Sequence, residues 1–257
     1  MIFIIGGDGF VGSAFARYAK CRGLEFVIIN RENYDAYVGR ECDLLINANG
    51  NSKKFLAARD PKGEFQASVA SVRNSLVDFK YRKYIFLSTS DVYPDCSEPA
   101  STQEHQFIDV ARQTPYGFHK YLAEQCVRHT ASSWLIIRQS GFVGIGLKKN
   151  PIYDALHGDK LWINPASEFQ FIDTNCSAQL VMELVDKEVN NEIMNVSARG
   201  TVSIQTVLAI AGKKLPCDES AKPIRCEISL QKAERWLQLP DTKAMVEAFL
   251  AAEICGS

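Results

Sequence analysis

The chain has 257 residues, with 29 Lys+Arg against 30 Asp+Glu and a formal net charge of -1. That length fits one domain with a sizeable core, or a large domain carrying a small lobe. The near-neutral balance points away from nucleic acid and from an anionic membrane surface as partners.

Ile2-Phe3-Ile4-Ile5 is apolar and rich in β-branched residues. It reads as a strand buried on both faces, as in a parallel sheet. Gly6-Gly7-Asp8-Gly9-Phe10-Val11-Gly12 follows at once, and a helix is expected from Ser13 to Gly23, a C-cap candidate. Phe26-Val27-Ile28-Ile29 is the second strand and Asp43-Leu44-Leu45-Ile46 the third. The thirteen residues from Asn30 to Cys42 hold a single crossover helix and no additional βα unit. From Pro61 to Lys80 the apolar positions Phe65, Val69, Val72, Leu76 and Phe79 step by three and four, which predicts a core-facing helix. Tyr84-Ile85-Phe86-Leu87 is a further buried strand. Thr114-Pro115 reads as an N-cap with proline at N1, opening a helix to about His129. Trp134-Leu135-Ile136-Ile137 closes the alternation.

Strand and helix alternating in this way predict an α/β protein with a Rossmann-type doubly wound parallel sheet. After Arg138 the pattern loosens, with glycines and prolines clustered from Gly141 to Pro165. A strand at Phe169-Gln170-Phe171-Ile172, a helix near Ala178–Val189 and a strand at Ile193–Val196 are expected. Ser203 caps a helix reaching Ala211, and two short amphipathic helices fill the tail from about Ser229. Residues 1–138 are therefore read as a dinucleotide-binding core. Residues 139–257 are read mostly as a small C-terminal substrate lobe, with segments returning to the core.

A glycine run between a first strand and a helix lets the backbone turn at φ > 0 and lets a pyrophosphate approach it. The helix start then offers N–H groups and a positive dipole end to the phosphates. Gly6, Asp8, Gly9, Phe10, Val11 and Gly12 are thus candidate cofactor residues. The second strand ends in Asn30-Arg31, then Glu32. Arg31 can pair with a 2′-phosphate and Asn30 does not repel one, which leans toward NADP. In the other reading Arg31 is a solvated surface residue and Glu32 holds the ribose of NAD. Asn47, Ala48 and Asn49 end the third strand, where small residues let a cofactor cross the strand ends.

Tyr116 and Lys120 are four apart on a predicted helix and share its face. An ammonium beside a phenol stabilises the phenolate, turning a poor base into a usable one. Ser88 and Thr89 stand at a strand end, where the Thr89 hydroxyl can steady the substrate oxygen that Tyr116 deprotonates. The bland reading is a surface i,i+4 pair. The eight cysteines include no C-x2-C pair, and several fall in apolar segments as small core residues. The four histidines have no metal-like spacing and are read as surface or packing residues, so no metal is expected. No leader is recognisable at Met1, no apolar run approaches the roughly 18 residues of a membrane span, and a cytoplasmic protein is expected.

Together these residues resemble the extended short-chain dehydrogenase/reductases, specifically the NAD(P)-dependent nucleotide-sugar epimerase/dehydratase group. Gly6, Gly9 and Gly12 match its glycine signature, Thr89 its catalytic Ser/Thr, and Tyr116 with Lys120 its catalytic pair. Ser88-Thr89-Ser90-Asp91-Val92-Tyr93 is similar to the S-T-S-E-[VL]-Y of sugar dehydratases and decarboxylases. Asp91 stands where the Glu does acid–base work, as a shorter base or as a loop residue capping a turn. The resemblance implies substrate contacts from Ser90, Asp91, Tyr93, Gly141 and Phe142. It also implies a homodimer through the helices at Pro61–Lys80 and Pro115–His129. The chain departs from the family at Ser68, where an Asn is frequent. It departs again at Phe169-Gln170, where an Arg for the nucleotide diphosphate is frequent; Lys148-Lys149 could replace that Arg or belong to a solvated loop. The activity implied is hydride transfer at a hydroxyl or ketone of a nucleotide-activated sugar. The alternatives are an NADPH-dependent keto-sugar reductase and a non-enzymatic dinucleotide sensor.

Overall fold

The computed structural model describes residues 1–50, 54, 56–217 and 220–255. Its centre is a six-stranded sheet made of β1 (Ile2–Ile5), β2 (Phe26–Ile29), β3 (Glu41–Asn47), β4 (Lys80–Leu87), β5 (Trp134–Gln139) and β9 (Glu192–Val196). The spatial order is β2-β1-β3-β4-β5-β9, and every pairing is parallel. β2 lies on one side of β1, and all later strands lie on the other. The connections after β1 and β3 therefore diverge and leave a crevice over their C-terminal ends.

The short apolar strands alternate between two packed layers. Ile2, Ile4, Ile85, Leu87, Leu135 and Ile137 face one layer with residues of α1 (Gly12–Cys21) and α8 (Thr174–Asp186). Phe3, Ile5, Tyr84, Phe86 and Ile136 face the other, with residues of α5 (Ser71–Asp78) and α6 (Pro115–Thr130). Burial on both faces explains why these strands are uniformly apolar.

The β2–β3 crossover contains only a one-turn helix, α2 (Tyr34–Tyr37), rather than the fuller helix expected. Aromatic packing fixes this short path: Tyr34 stacks edge-on to Phe79 at 5.0 Å and Tyr37 to Phe3 at 5.5 Å. After the short α3 (Leu56–Arg59), the helix expected over Pro61–Lys80 runs as α4 (Pro61–Phe65), a π-turn at Gln66–Ala70, and α5. Val69, Val72, Leu76 and Phe79 are buried, but Phe65 is 39% exposed. The wide turn shifts the upstream register, so a strict 3.6-residue count overshoots there. Lys80 already belongs to β4. Thr114 caps α6 as expected, its Oγ1 accepting from the Gly117 N–H at 3.1 Å.

The run Phe169–Ile172 is two strands, not one. β7 (Glu168–Phe169) lies between β10 (Val202–Ser203) and β11 (Arg225–Cys226), while β8 (Phe171–Asp173) pairs with β6 (Gly141–Val143). Gln170 separates them; its buried side chain accepts from the Ile228 N–H at 2.8 Å. β6, β7, β8 and β10, with α7 (Pro151–His157), α9 (Ile204–Ile210) and α10 (Thr242–Cys255), share an apolar cluster that includes Val143, Ile152, Phe171, Val207 and Leu250. β9 and α8 return to the central sheet. α8 starts at Thr174, four residues before the expected Ala178, because Asp173 accepts from the N–H groups of Asn175 and Cys176. The tail holds one short turn (Ala233–Arg235) and the 14-residue α10, rather than two short helices. Among the described residues no helix is long and apolar enough to cross a membrane.

Candidate active site

The crevice over β1 and β3 contains two clefts. The first, about 650 Å³, is lined by Gly6, Asn30, Arg31, Tyr34, Asp35 and Asn49, and by Gln66 and Ala67 of the π-turn. The glycine loop forms one wall. Gly6 sits at φ +74°, and a Cβ on Gly12 would stand 2.2 Å from the Gly6 carbonyl oxygen. No side chain caps the start of α1, and its first turn carries no acidic residue. A bare turn leading to an uncapped helix start is the geometry a dinucleotide pyrophosphate requires, so the residues fit that cofactor.

The second cleft, about 270 Å³, continues from Asn49 past Phe10, Val11 and Ala48 to Ser88, Thr89, Tyr116 and Lys120, and ends at Gly141 and Phe142. Phe10 meets Phe142 edge-on at 6.4 Å, which joins the glycine loop to β6. Tyr116 and Lys120 lie one turn apart on α6. The Lys120 Nζ donates to the Leu87 carbonyl at 2.7 Å and lies 4.0 Å from the Phe86 ring centre. Burial pulls its ammonium down to about 8, opposed by Glu124 and Glu64. Burial also pushes the Tyr116 phenol well above its ordinary value, and the carboxylates of Asp91 and Glu64 add to the rise.

Thr89 and Asp91 form a closed pair. The Thr89 hydroxyl donates to Asp91 Oδ2 at 2.6 Å and accepts from the Asp91 N–H at 3.2 Å. Lys54 adds a third member that sequence reasoning missed. Its Nζ lies 2.5 Å from Asp91 Oδ2 and 5.7 Å from the centre of the Tyr116 ring. Its loop has no regular period, so no sequence signal placed it here.

Behind this wall is a buried ionic layer. Glu124 accepts from Arg138 Nε and NH2 at 3.0 and 2.7 Å, and from the Ser88 hydroxyl at 2.5 Å. The Arg138 guanidinium lies 4.8 Å from the Tyr93 ring centre, and Tyr93 donates to Asn195 at 2.9 Å. Burial pushes the Tyr93 phenol up to about 12, despite Arg138. Glu124 is also missed, although it sits four residues after Lys120 and so shares its buried face.

Several expected site residues stand behind the clefts rather than in their walls. Tyr93 is 4% exposed and committed to Arg138 and Asn195. Ser90 is buried, its carbonyl accepting from the Cys96 thiol at 3.5 Å. Asn47 is fully buried, donates to Tyr84 at 2.8 Å and to Ser75 at 3.1 Å, and orients the Asn49 N–H at 2.9 Å. Their polar groups serve the scaffold because the strand ends around them are themselves buried. The Cys96 and Cys226 thiols are close enough to perturb each other beside Ser90. Of the eight cysteines only Cys42 is buried, fewer than the apolar context suggested. His119 is a packing residue, paired with the buried Glu64, which also contacts Ser68. The described residues contain no three-residue group able to hold a metal ion.

A comparison with curated proteins finds no match in sequence. Solved structures of the same architecture are numerous. A UDP-galactose 4-epimerase superposes with a TM-score of 0.81 at 18% identity, covering 99% of this chain and 98% of that one. A dTDP-4-dehydrorhamnose reductase ortholog from Clostridium acetobutylicum gives 0.82 at 14% identity, covering 98% and 99%. RMD from Pseudomonas aeruginosa, solved with NADPH, gives 0.81 at 18% identity, covering 100% and 99%. These likenesses establish the fold. The model of the NAD dependent epimerase/dehydratase family matches residues 2–151. With its parallel sheet, glycine loop and Thr89–Tyr116–Lys120 wall, the chain belongs to the NAD dependent epimerase/dehydratase family.

Proposed function

We propose that this chain is an NAD(P)-dependent oxidoreductase of the epimerase/dehydratase type, acting at a hydroxyl or ketone of a nucleotide-activated sugar. One observation carries the reading: Thr89, Tyr116 and Lys120 line a cleft that continues from the glycine-loop cleft through Asn49. When bound, the nicotinamide supplies the hydride acceptor and donor. Gly6, Gly12 and the start of α1 hold the pyrophosphate, and Ala48 and Asn49 leave room over the strand ends. Lys120 presents its ammonium to the ribose and to the phenol. Tyr116 holds the proton that passes to or from the sugar oxygen, with its Oη as the transferring atom. Thr89 positions that oxygen once its hydroxyl turns from Asp91 to the substrate. The sugar nucleotide enters past Phe142 and Lys149.

A keto-sugar reductase on the same site is supported by two features. The buried phenol is held protonated, ready to give a proton to a ketone. Arg31 makes no ion pair among the described residues and suits a 2′-phosphate. Dimerisation through α4, α5 and α6 would cover Phe65 and Val77, 39% and 58% exposed; light scattering measures it.

The test is a panel of nucleotide sugars and their 4-keto forms assayed with NAD(H) and NADP(H). Conversion of a sugar nucleotide that disappears in Tyr116→Phe supports the proposal. Activity retained in Tyr116→Phe overturns the assignment, and dinucleotide binding without turnover of any sugar favours the sensor.

A further inference from the structure

We propose that Asp8 is the residue that selects the dinucleotide. Its carboxylate takes the hydroxyls of the adenosine ribose and turns away a 2′-phosphate, so the chain prefers NAD(H). The inference rests on the dinucleotide reading above and deepens it.

The argument begins with the tip of β2, where an acid or a basic residue ordinarily decides ribose recognition. Here the tip is folded onto itself. Asn30 Oδ1 accepts from the N–H groups of Glu32 and Asn33 at 3.0 and 3.3 Å. The Asn30 N–H donates to Asn33 Oδ1 at 2.8 Å, and Asn33 Nδ2 donates to the Ile28 carbonyl at 2.9 Å. The side-chain acceptors of Asn30 and Asn33 are thus already engaged by backbone.

The Asn30 side-chain N–H₂ donates to Asp8 Oδ2 at 2.9 Å. That bond brings a glycine-loop side chain, 22 residues upstream, to the tip of β2. Asp8 Oδ1 makes no hydrogen bond with the described residues, and Asp8 itself is exposed. An ionised carboxylate is an acceptor only. It suits the two hydroxyls of a ribose and repels the charge of a phosphate esterified at the same place.

The first cleft, whose wall at Asn30 holds Asp8 by this bond, reinforces this sign. Asp35 lines it as a carboxylate, and Arg31 is the one cation among its lining residues. Arg31 is exposed and untethered, whereas Asp8 is held at the tip by Asn30. A 2′-phosphate reaching Arg31 there would stand beside a fixed negative charge. On this proposal Asp8, which the linear order places far from the second strand, outweighs Arg31 in choosing the dinucleotide.

Calorimetric titration of the purified full chain with NAD⁺ and NADP⁺ tests the proposal without any sugar. The wild type should bind NAD⁺ at least about tenfold more tightly than NADP⁺. Asp8→Asn keeps the size and an acceptor oxygen for Asn30 but removes the charge, and should narrow or invert that ratio. Arg31→Ala should leave the preference for NAD⁺ in place. Equal or tighter binding of NADP⁺ by the wild type overturns the proposal. So does an Asp8→Asn protein that loses affinity for both dinucleotides equally, since Asp8 would then only shape the loop. Binding of neither dinucleotide to the wild type overturns the dinucleotide reading and this inference with it, an outcome distinct from binding with the wrong preference.

Discussion

The two clefts are built from different materials. The first is walled by Gly6 of the glycine loop, by Gln66 and Ala67 of the wide turn, and by the exposed polar segment after β2 with Asn30, Arg31 and Asp35. The second is walled by titratable side chains, Lys54, Tyr116 and Lys120, and backed by the buried Glu124–Arg138 pair. On the proposed function, the difference separates binding from chemistry. Steric changes at the first cleft should alter dinucleotide affinity, while charge changes at the second should alter turnover or folding with the dinucleotide still bound.

The largest effect expected is on chemistry. Tyr116→Phe removes one oxygen and should lower turnover by about 10²–10⁴-fold. Calorimetry should show dinucleotide affinity unchanged; a parallel loss of affinity would blur the division between the clefts. Next is Glu124→Ala, which strands a 1% exposed Arg138 without its bidentate partner. Breaking one side of a buried pair costs about 3–5 kcal/mol, read from urea denaturation. A loss under about 1 kcal/mol would mean that water replaces the carboxylate there.

Gly12→Ala tests the first cleft. Its Cβ would meet backbone rather than a movable side chain, so a loss of about 1–3 kcal/mol in stability is expected, with weakened dinucleotide binding. The smallest stability effect should come from Thr114→Ala at the start of α6, about 1 kcal/mol, because it removes one cap hydrogen bond.

The pH dependence distinguishes the clefts again. Lys120 titrates near 8 in the folded chain, below its ordinary 10.5, because burial penalises its charge. Its ammonium is present below that pH and lost above it, so turnover should fall as pH rises through about 8. Stability should move oppositely. Between about 8 and 10.5 the unfolded chain binds the extra proton, so this group favours the folded state increasingly as pH rises. Dinucleotide binding through the glycine loop should change less across the same window. A turnover profile flat from pH 7 to 9 would remove Lys120 from the chemistry.

Much of the architecture was legible along the chain. Continuous β-branched runs mark strands buried on both faces, and Ile2–Ile5, Phe26–Ile29 and Trp134–Ile137 all lie within strands of the central sheet. Thr114-Pro115 marks the start of α6 because cap and N1 preferences are local. Tyr116 and Lys120 share a face because helical spacing alone requires it. These features depend on neighbours within about one turn, and sequence order carries them.

What lay beyond local order was decided by tertiary packing. Phe169–Ile172 reads as one strand, but its halves join different sheets, a choice made by partners at Val202, Cys226 and Gly141. Tyr93 reads as a site residue beside Thr89, but Asn195, 102 residues away, takes its hydroxyl. Lys54 reaches Asp91 and Asn30 reaches Asp8 only once the sheet brings their loops to one edge. By itself the sequence determined the strands, the helix starts and the Tyr–Lys pair, because backbone propensity and periodicity are short-range. Only the tertiary structure decided which charges meet, because hydrogen bonds and ion pairs depend on distance in space rather than along the chain.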